Sequence, residues 1–214
     1  DAVARTVHSK LIERVSASDF GANGDGVTNN DTVLASIQSF FSLSSGNIEI
    51  FFEDGDYAYT TSPIWSTTGL NIRANGPDNC KFSYSGSGNA FDVDPSSVDS
   101  AFRYGIHLEG FLIDLGASGV AGIYMENIAH SVVRDVFAIN GASTAIHFDL
   151  RQAVLCHFDH CGTPISRFTP TSIHQESLRL SVSPSKGGHA TANVFTNFIA
   201  EGASLAGVRV LQGT

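Results

Sequence analysis

The sequence predicts an all-β fold, a parallel β-helix (β-solenoid) with one helix leading into it and a second helix capping it. Three observations carry this. The first is composition: 21 of 214 residues are Gly, 15 are Phe and only 15% are charged, which suits short strands and tight turns better than long charged helices. The second is a change of period. Before Gly46 the apolar spacing is helical; after it, strand-like runs alternate with Gly/Asn/Ser turns. The third is a repeat. Gly-Ala-Ser occurs three times, at Gly116–Ser118, Gly141–Ser143 and Gly202–Ser204, and a strand-like run follows each.

Residues 1–15 read as a neck helix, with Val3, Val7 and Leu11 on one stripe and Ile12 and Val15 widening it. So short a helix needs a partner for its apolar face. Residues 16–45 read as a cap. A Gly/Asp/Asn turn segment ends at Asn30 and Asp31, either of which can cap the helix carrying Leu34, Ile37 and Phe41. Residues 46–214 read as coils, incomplete at the C-terminal end. The first strands are Asn47–Phe52, Tyr57–Thr60 and Leu70–Ala74.

The residues ahead of each repeat word align in two columns. Leu108, Val133, Val154 and Val194 form one; Leu112, Phe137, Phe158 and Phe198 form the other. The spacings are 25, 21 and 40 residues, two near the length of a coil and one a coil plus an inserted loop at about residues 169–190. Strict alternation turns Val133 and Phe137 inward and Arg134 and Val136 outward. Glu109 and Arg134 then lie on neighbouring coils within ion-pair reach, given strand spacing of about 4.8 Å.

Composition excludes other classes. With 12 Lys+Arg against 21 Asp+Glu and net charge −9, no nucleic-acid partner is expected. No stretch approaches the roughly 18 apolar residues of a membrane span, so no membrane insertion is expected. The first 15 residues lack the apolar core of a secretory signal, and a start at Asp1 implies a fragment or processed product. Cys80, Cys156 and Cys161 form no CxxC pair and read as buried thiols from a reducing cytoplasm.

A family resemblance narrows this. Val15-Ser16-Ala17-Ser18-Asp19-Phe20-Gly21-Ala22-Asn23-Gly24-Asp25-Gly26-Val27-Thr28-Asn29-Asn30-Asp31-Thr32 resembles the entry motif of pectate-lyase-like right-handed, single-stranded parallel β-helices. Ile48–Tyr57, an apolar strand running into a Gly-x-Tyr turn, looks like that family's next element. Ala2–Val7, Ser9–Leu11, Glu13 and Val15-Ser16 resemble the linker before the β-helix of tailed-phage tailspikes. The resemblance implies a homotrimeric spike in the virion tail. It would be joined to other phage tail proteins through a part preceding residue 1, and it would bind and often cleave host cell-surface polysaccharide. The alternatives are a non-catalytic receptor-binding or structural spike and a secreted carbohydrate-active enzyme of the same fold.

Hydrolysis of a glycan needs two carboxylates, about 5–5.5 Å apart for retention or 6.5–9.5 Å for inversion. The paired-Asp and Gly-His-Gly signatures of polygalacturonase-like enzymes and the clustered-Asp calcium site of pectate lyases are absent from the sequence. Cys156-His157-Phe158-Asp159-His160-Cys161 is the densest cluster. The catalytic candidates are His157 and Asp159, on one strand face, with Glu201 one inserted coil later and Glu176 at the start of the loop. The substrate-binding candidates are Trp65, Tyr124 and Arg134. Arg134, Arg151, Arg167 and Arg179 could form a basic cluster. Neither a cofactor nor a metal is expected, because strand spacing scatters the Cys and His side chains.

Overall fold

The computed structural model describes residues 14–43, 48–93, 101–181 and 190–211. The expected neck helix falls mostly outside these. Its last two residues do not continue a helix: Arg14 and Val15 open a strand, β1 (Arg14–Ser16), which pairs with β2 (Glu49–Phe52). A 3-10 turn (Ala17–Phe20) and α1 (Asp31–Leu43) follow β1. Leu34, Ile37 and Phe41 bury one side of α1, and Phe41 packs edge-on against Trp65. The expected helix cap is corrected. Asn30 is buried and its amide donates to Asn23, Thr28 and Ala58 carbonyls, while Asp31 accepts from the Thr60 and Thr61 amides. Both side chains tie the entry segment to the coils.

After β2 the coils stack in order. β3 (Gly55–Tyr59) ends the first, β4 (Asn71–Ala74), β5 (Cys80–Tyr84) and β6 (Asn89–Val93) form the second, and β7 (Arg103–Tyr104), β8 (His107–Asp114) and β9 (Ala121–Ala129) lead through the third. β10 (Val132–Ile139) and β11 (Ile146–Val154) make the fourth. β12 (His157–Asp159), β13 (Gly162–Thr163) and β14 (Glu176–Ser181) make the fifth, and β15 (Val194–Thr196), β16 (Ile199–Ala200) and β17 (Ala206–Val210) the sixth. Every strand pairing among the described residues is parallel, which establishes the parallel β-helix.

Left-handed residues fold each coil into three faces. Gly110, Asp135, His160 and Asn197 all have positive φ and stand at equivalent points of four successive coils. They bend the eleven-stranded sheet in two. β1, β2, β4, β12, β15 and the starts of β8 and β10 form a first face; β3, β5, β13, β16 and the ends of β8 and β10 form a second. Gly105, His130, Leu155 and Ala192 form another left-handed column. The third face is the six-stranded sheet β17-β14-β11-β9-β6 with β7.

This bend corrects the expected alternation. Val133 and Val136 both enter the core, because the left-handed Asp135 between them inverts the pleat. Phe137 instead joins an outer cluster with Leu112, Ile139, Phe168 and Ile199. The register also corrects the third member of the first column. Leu108, Val133 and Phe158 are paired neighbours, so two successive coils advance by 25 residues; Phe195 follows 37 residues later. Val154 belongs to the third face, paired with Ala129.

The core is aromatic at its base. Phe82 contacts Phe52, Phe91 and Phe111 with ring centroids 4.8–5.1 Å apart. Column stacking continues to the sixth coil, where Val208 and Val210, in register with buried Leu178 and half-buried Leu180, are 54% and 64% exposed. Cys80, Cys156 and Cys161 are buried free thiols, and burial pushes all three up, Cys161 to about 12.

Candidate functional site

The third face carries the densest polar arrangement. Phe91, Ile123, Phe148, Leu178 and their i+2 neighbours point inward, so the residues between them line the outside. Asp92, Tyr124, Asp149, Arg179 and Arg209 therefore stand side by side across five coils. Two residues on, Glu126 is the neighbour of Arg151. Tyr124 donates its hydroxyl to Glu126. Arg151 donates twice to Asp149, at 2.9 and 3.2 Å, and lies over the Tyr124 ring, 4.9 Å from its centroid. Glu126 and Asp149 are both 2% exposed, and Asp149 Oδ1 is buried with no hydrogen-bond partner. A buried carboxylate held by an arginine, a second buried carboxylate and a phenol thus share one patch.

Glu176 anchors the next part of the face. It is not in a projecting loop, as expected, but opens β14, and its carboxylate is fully buried. Arg179 donates to it at 2.6 and 2.9 Å, and Arg209 of the next coil at 2.8 Å. Burial works to raise its pKa, but the bonds and charges of the two arginines outweigh this and hold the carboxyl below its usual range.

At the rim of this face two histidines stack. His147 and His174 are 1% and 2% exposed, with ring centroids 3.9 Å apart. His147 Nε2 bonds the Asn140 carbonyl and His174 Nε2 the Ser177 hydroxyl. The same corner docks the 164–175 turn, since Asn140 Oδ1 accepts from the Thr171 and Ser172 amides. Burial, and for His147 also its stacked partner, pushes the two down to about 3 and about 4 from 6.5. Both rings fold neutral and would charge in the unfolded chain. Stability is therefore full above pH 6.5 and falls as pH drops toward 4, by about 1.4 kcal/mol per pH unit for each ring. Urea unfolding at pH 7 and pH 5 measures this. His174→Phe should flatten the slope; an unchanged slope would place its origin elsewhere.

The other sequence-selected residues are dispersed. His157 and Asp159 do share the outside of the first face, but each has its own partner. His157 Nε2 is 3.0 Å from Thr196 Oγ1, and Asp159 pairs with Arg134 at 3.4 Å. Arg134 is the register neighbour of Glu109, yet Glu109 pairs with Arg73 at 3.0 Å and lies 2.9 Å from His107 Nε2. Glu201 lies beyond the corner at Asn197, where its carboxylate accepts from the Ser166 amide and hydroxyl at 2.9 and 3.1 Å, which lowers its pKa. Trp65 is corrected: it is 2% exposed and stacked on Phe91 inside the core, closed to any sugar. Tyr124 does lie on the third face, 8% exposed. Of the four arginines, Arg151 and Arg179 share the third face, Arg134 is on the first, and Arg167 sits on the turn after β13.

Sequence reasoning passed over Glu126 and Asp149. The signal was present: the 25-residue interval between Gly116 and Gly141 also relates Tyr124 to Asp149 and Glu126 to Arg151.

Among solved structures, the A-module of mannuronan C-5 epimerase AlgE4 from Azotobacter vinelandii matches 93% of this chain with a TM-score of 0.63 at 15% identity. ORF18 of Geobacillus virus E2 (TM-score 0.49, 12% identity, 95% of this chain and 48% of that one) and PfbA, a surface adhesin of Streptococcus pneumoniae (0.48, 11%, 93% and 56%), are more distant. This chain spans 54% of the epimerase module, so about half its length. No family model matches the chain, and no curated protein matches it. At 15% identity the epimerase likeness is one of fold.

Proposed function

We propose that this chain is part of a homotrimeric phage tailspike whose third face binds host cell-surface polysaccharide and hydrolyses it. The observation that carries this is the patch of Tyr124, Glu126, Asp149 and Arg151 on one outer face of the coils. Carboxylates, an arginine and a phenol are the groups that accept from and donate to the hydroxyls of a saccharide. The tailspike assignment is supported by the entry motif across residues 15–32 and the linker-like segment before it. A fold neighbour named for acting on mannuronan, a polysaccharide, agrees with the substrate class.

The register supports hydrolysis over elimination. Glu126 and Asp149 are one coil and two residues apart, which puts their Cβ atoms about 8 Å from each other. An inverting glycosidase holds its two carboxyl groups roughly 6.5–9.5 Å apart, a separation that side chains carried on Cβ atoms so placed can span. In this reading Asp149, bonded by Arg151, is the base that activates water, and Glu126, bonded by Tyr124, is the acid at the leaving oxygen.

The test incubates the protein with polysaccharide extracted from its host and follows chain length and the ultraviolet absorbance of unsaturated uronate. Shortening without absorbance is expected. Asp149→Asn and Glu126→Gln should each cut turnover by about 10²–10⁴-fold. Absorbance growth would mean a lyase; binding without shortening would mean an adhesin on this fold.

A further inference from the structure

We propose a second saccharide site, a groove on the outside of the second face, distinct from the patch around Asp149. The groove has a volume of about 400 Å³ and runs between the turn after β4 and the turn after β13, a size that takes one or two sugar rings. Its floor is apolar: Leu112 and Phe168, both part of the outer cluster around Phe137. Its walls are polar. Asp56 and Lys81, register neighbours on β3 and β5, pair at 2.7 Å. Asp78 and Asn79 come from the turn after β4.

The two walls are joined by Arg167, which reaches Asp78 and also lies 5.2 Å from the Phe168 centroid. Such an exposed pair contributes little to stability, and sugar hydroxyls can replace either partner. An aromatic floor beneath carboxylate and cation walls is the chemistry of a pyranose site: the ring's C–H face lies on the aromatic, and its hydroxyls meet charged groups.

Charge selects among sugars. Asp56 and Asp78 balance Lys81 and Arg167, so the groove favours neutral hexoses over uronates. That the ligand is a saccharide rests on the reading given under Proposed function; where it binds does not.

The experiment is saturation-transfer NMR on the intact chain with four neutral hexasaccharides (an α-glucan, a β-glucan, a β-mannan and a β-galactan) and with tetramannuronate as the anionic probe. At least one neutral probe should bind, and more tightly than tetramannuronate. Phe168→Ala should weaken it about tenfold. Asp78→Ala, at an exposed residue that leaves the outer cluster intact, should weaken it too. Failure of all neutral probes, preference for tetramannuronate, or neutral binding untouched by both groove variants overturns the proposal. Binding lost only in Asp149→Asn would overturn the groove while leaving the third-face reading standing.

Discussion

Gly162→Ala is expected to lower stability by about 4 kcal/mol or more, near the top of what single substitutions do. Two penalties combine at this position. A Cβ built on Gly162 would lie 1.9 Å from the Ile199 carbonyl oxygen and 2.7 Å from its carbon, backbone atoms of the next coil. No side-chain rotation relieves such a clash, so the fifth and sixth coils must separate. Gly162 also has φ +132, where L residues are strained. A control separates the two effects. Gly21, with φ +86, has nothing within 4 Å of its Cβ position, so Gly21→Ala carries only the backbone cost of about 1–2 kcal/mol. Urea unfolding of both variants measures the difference. Equal losses would show that backbone strain alone governs both sites, and that the coil contact at Gly162 is softer than its geometry implies.

Gly162 also shows where the sequence was legible and where it was not. The parallel β-helix was readable from the return of Gly-Ala-Ser, because the same corner chemistry must recur once per coil. The 25-residue advance from Leu108 to Val133 was readable for the same reason. The next coil was not, because the strict two-residue alternation applied to it does not hold. Asp135 and His160 are left-handed corners occupied by ordinary side chains instead of Gly, so nothing in composition marked them. Asp135 inverts the pleat, which turns Val136 inward, and because Gly162 pairs with Phe137, not with Gly141, the column partner of Val133 is Phe158, four residues beyond Val154. The inserted residues misled in a similar way. They are divided between the turn before Glu176 and the stretch before Thr191, since Ile146 to Glu176 is a step of 30 and Val154 to Thr191 one of 37. Read as one loop, they hid a strand. Trp65 was misplaced for a different reason: an aromatic residue's type does not report its face, and here the base of the core needed its area.

Glu176→Ala should destabilise the chain by about 3 kcal/mol, because removing one member of a buried ion cluster strands the others. Arg179, with a side chain 17% exposed, keeps its charge and loses both of its bonds; Arg209, at 42%, can turn to solvent and loses less. Glu176→Gln should cost less than Ala, since an amide can still accept from one arginine but carries no charge. The lowered pKa of Glu176 gives the sign of the pH effect. The folded state favours the ionised form, so this contribution is complete above the unfolded carboxyl pKa of 4.5 and disappears as pH falls below it. The same variants bear on chemistry. Were Glu176 an acid or base in turnover, Glu176→Gln would abolish activity while leaving the melting temperature near that of the parent. If it holds the face together, stability falls first, and Arg209→Ala reproduces part of the loss although it removes no carboxylate. The geometry favours the second outcome: three arginine N–H groups already occupy the buried Glu176 carboxylate, leaving no approach for a substrate oxygen. A shift of the melting temperature in both Glu176→Gln and Arg209→Ala, with the residual turnover of the still-folded fraction unchanged, is the expected result.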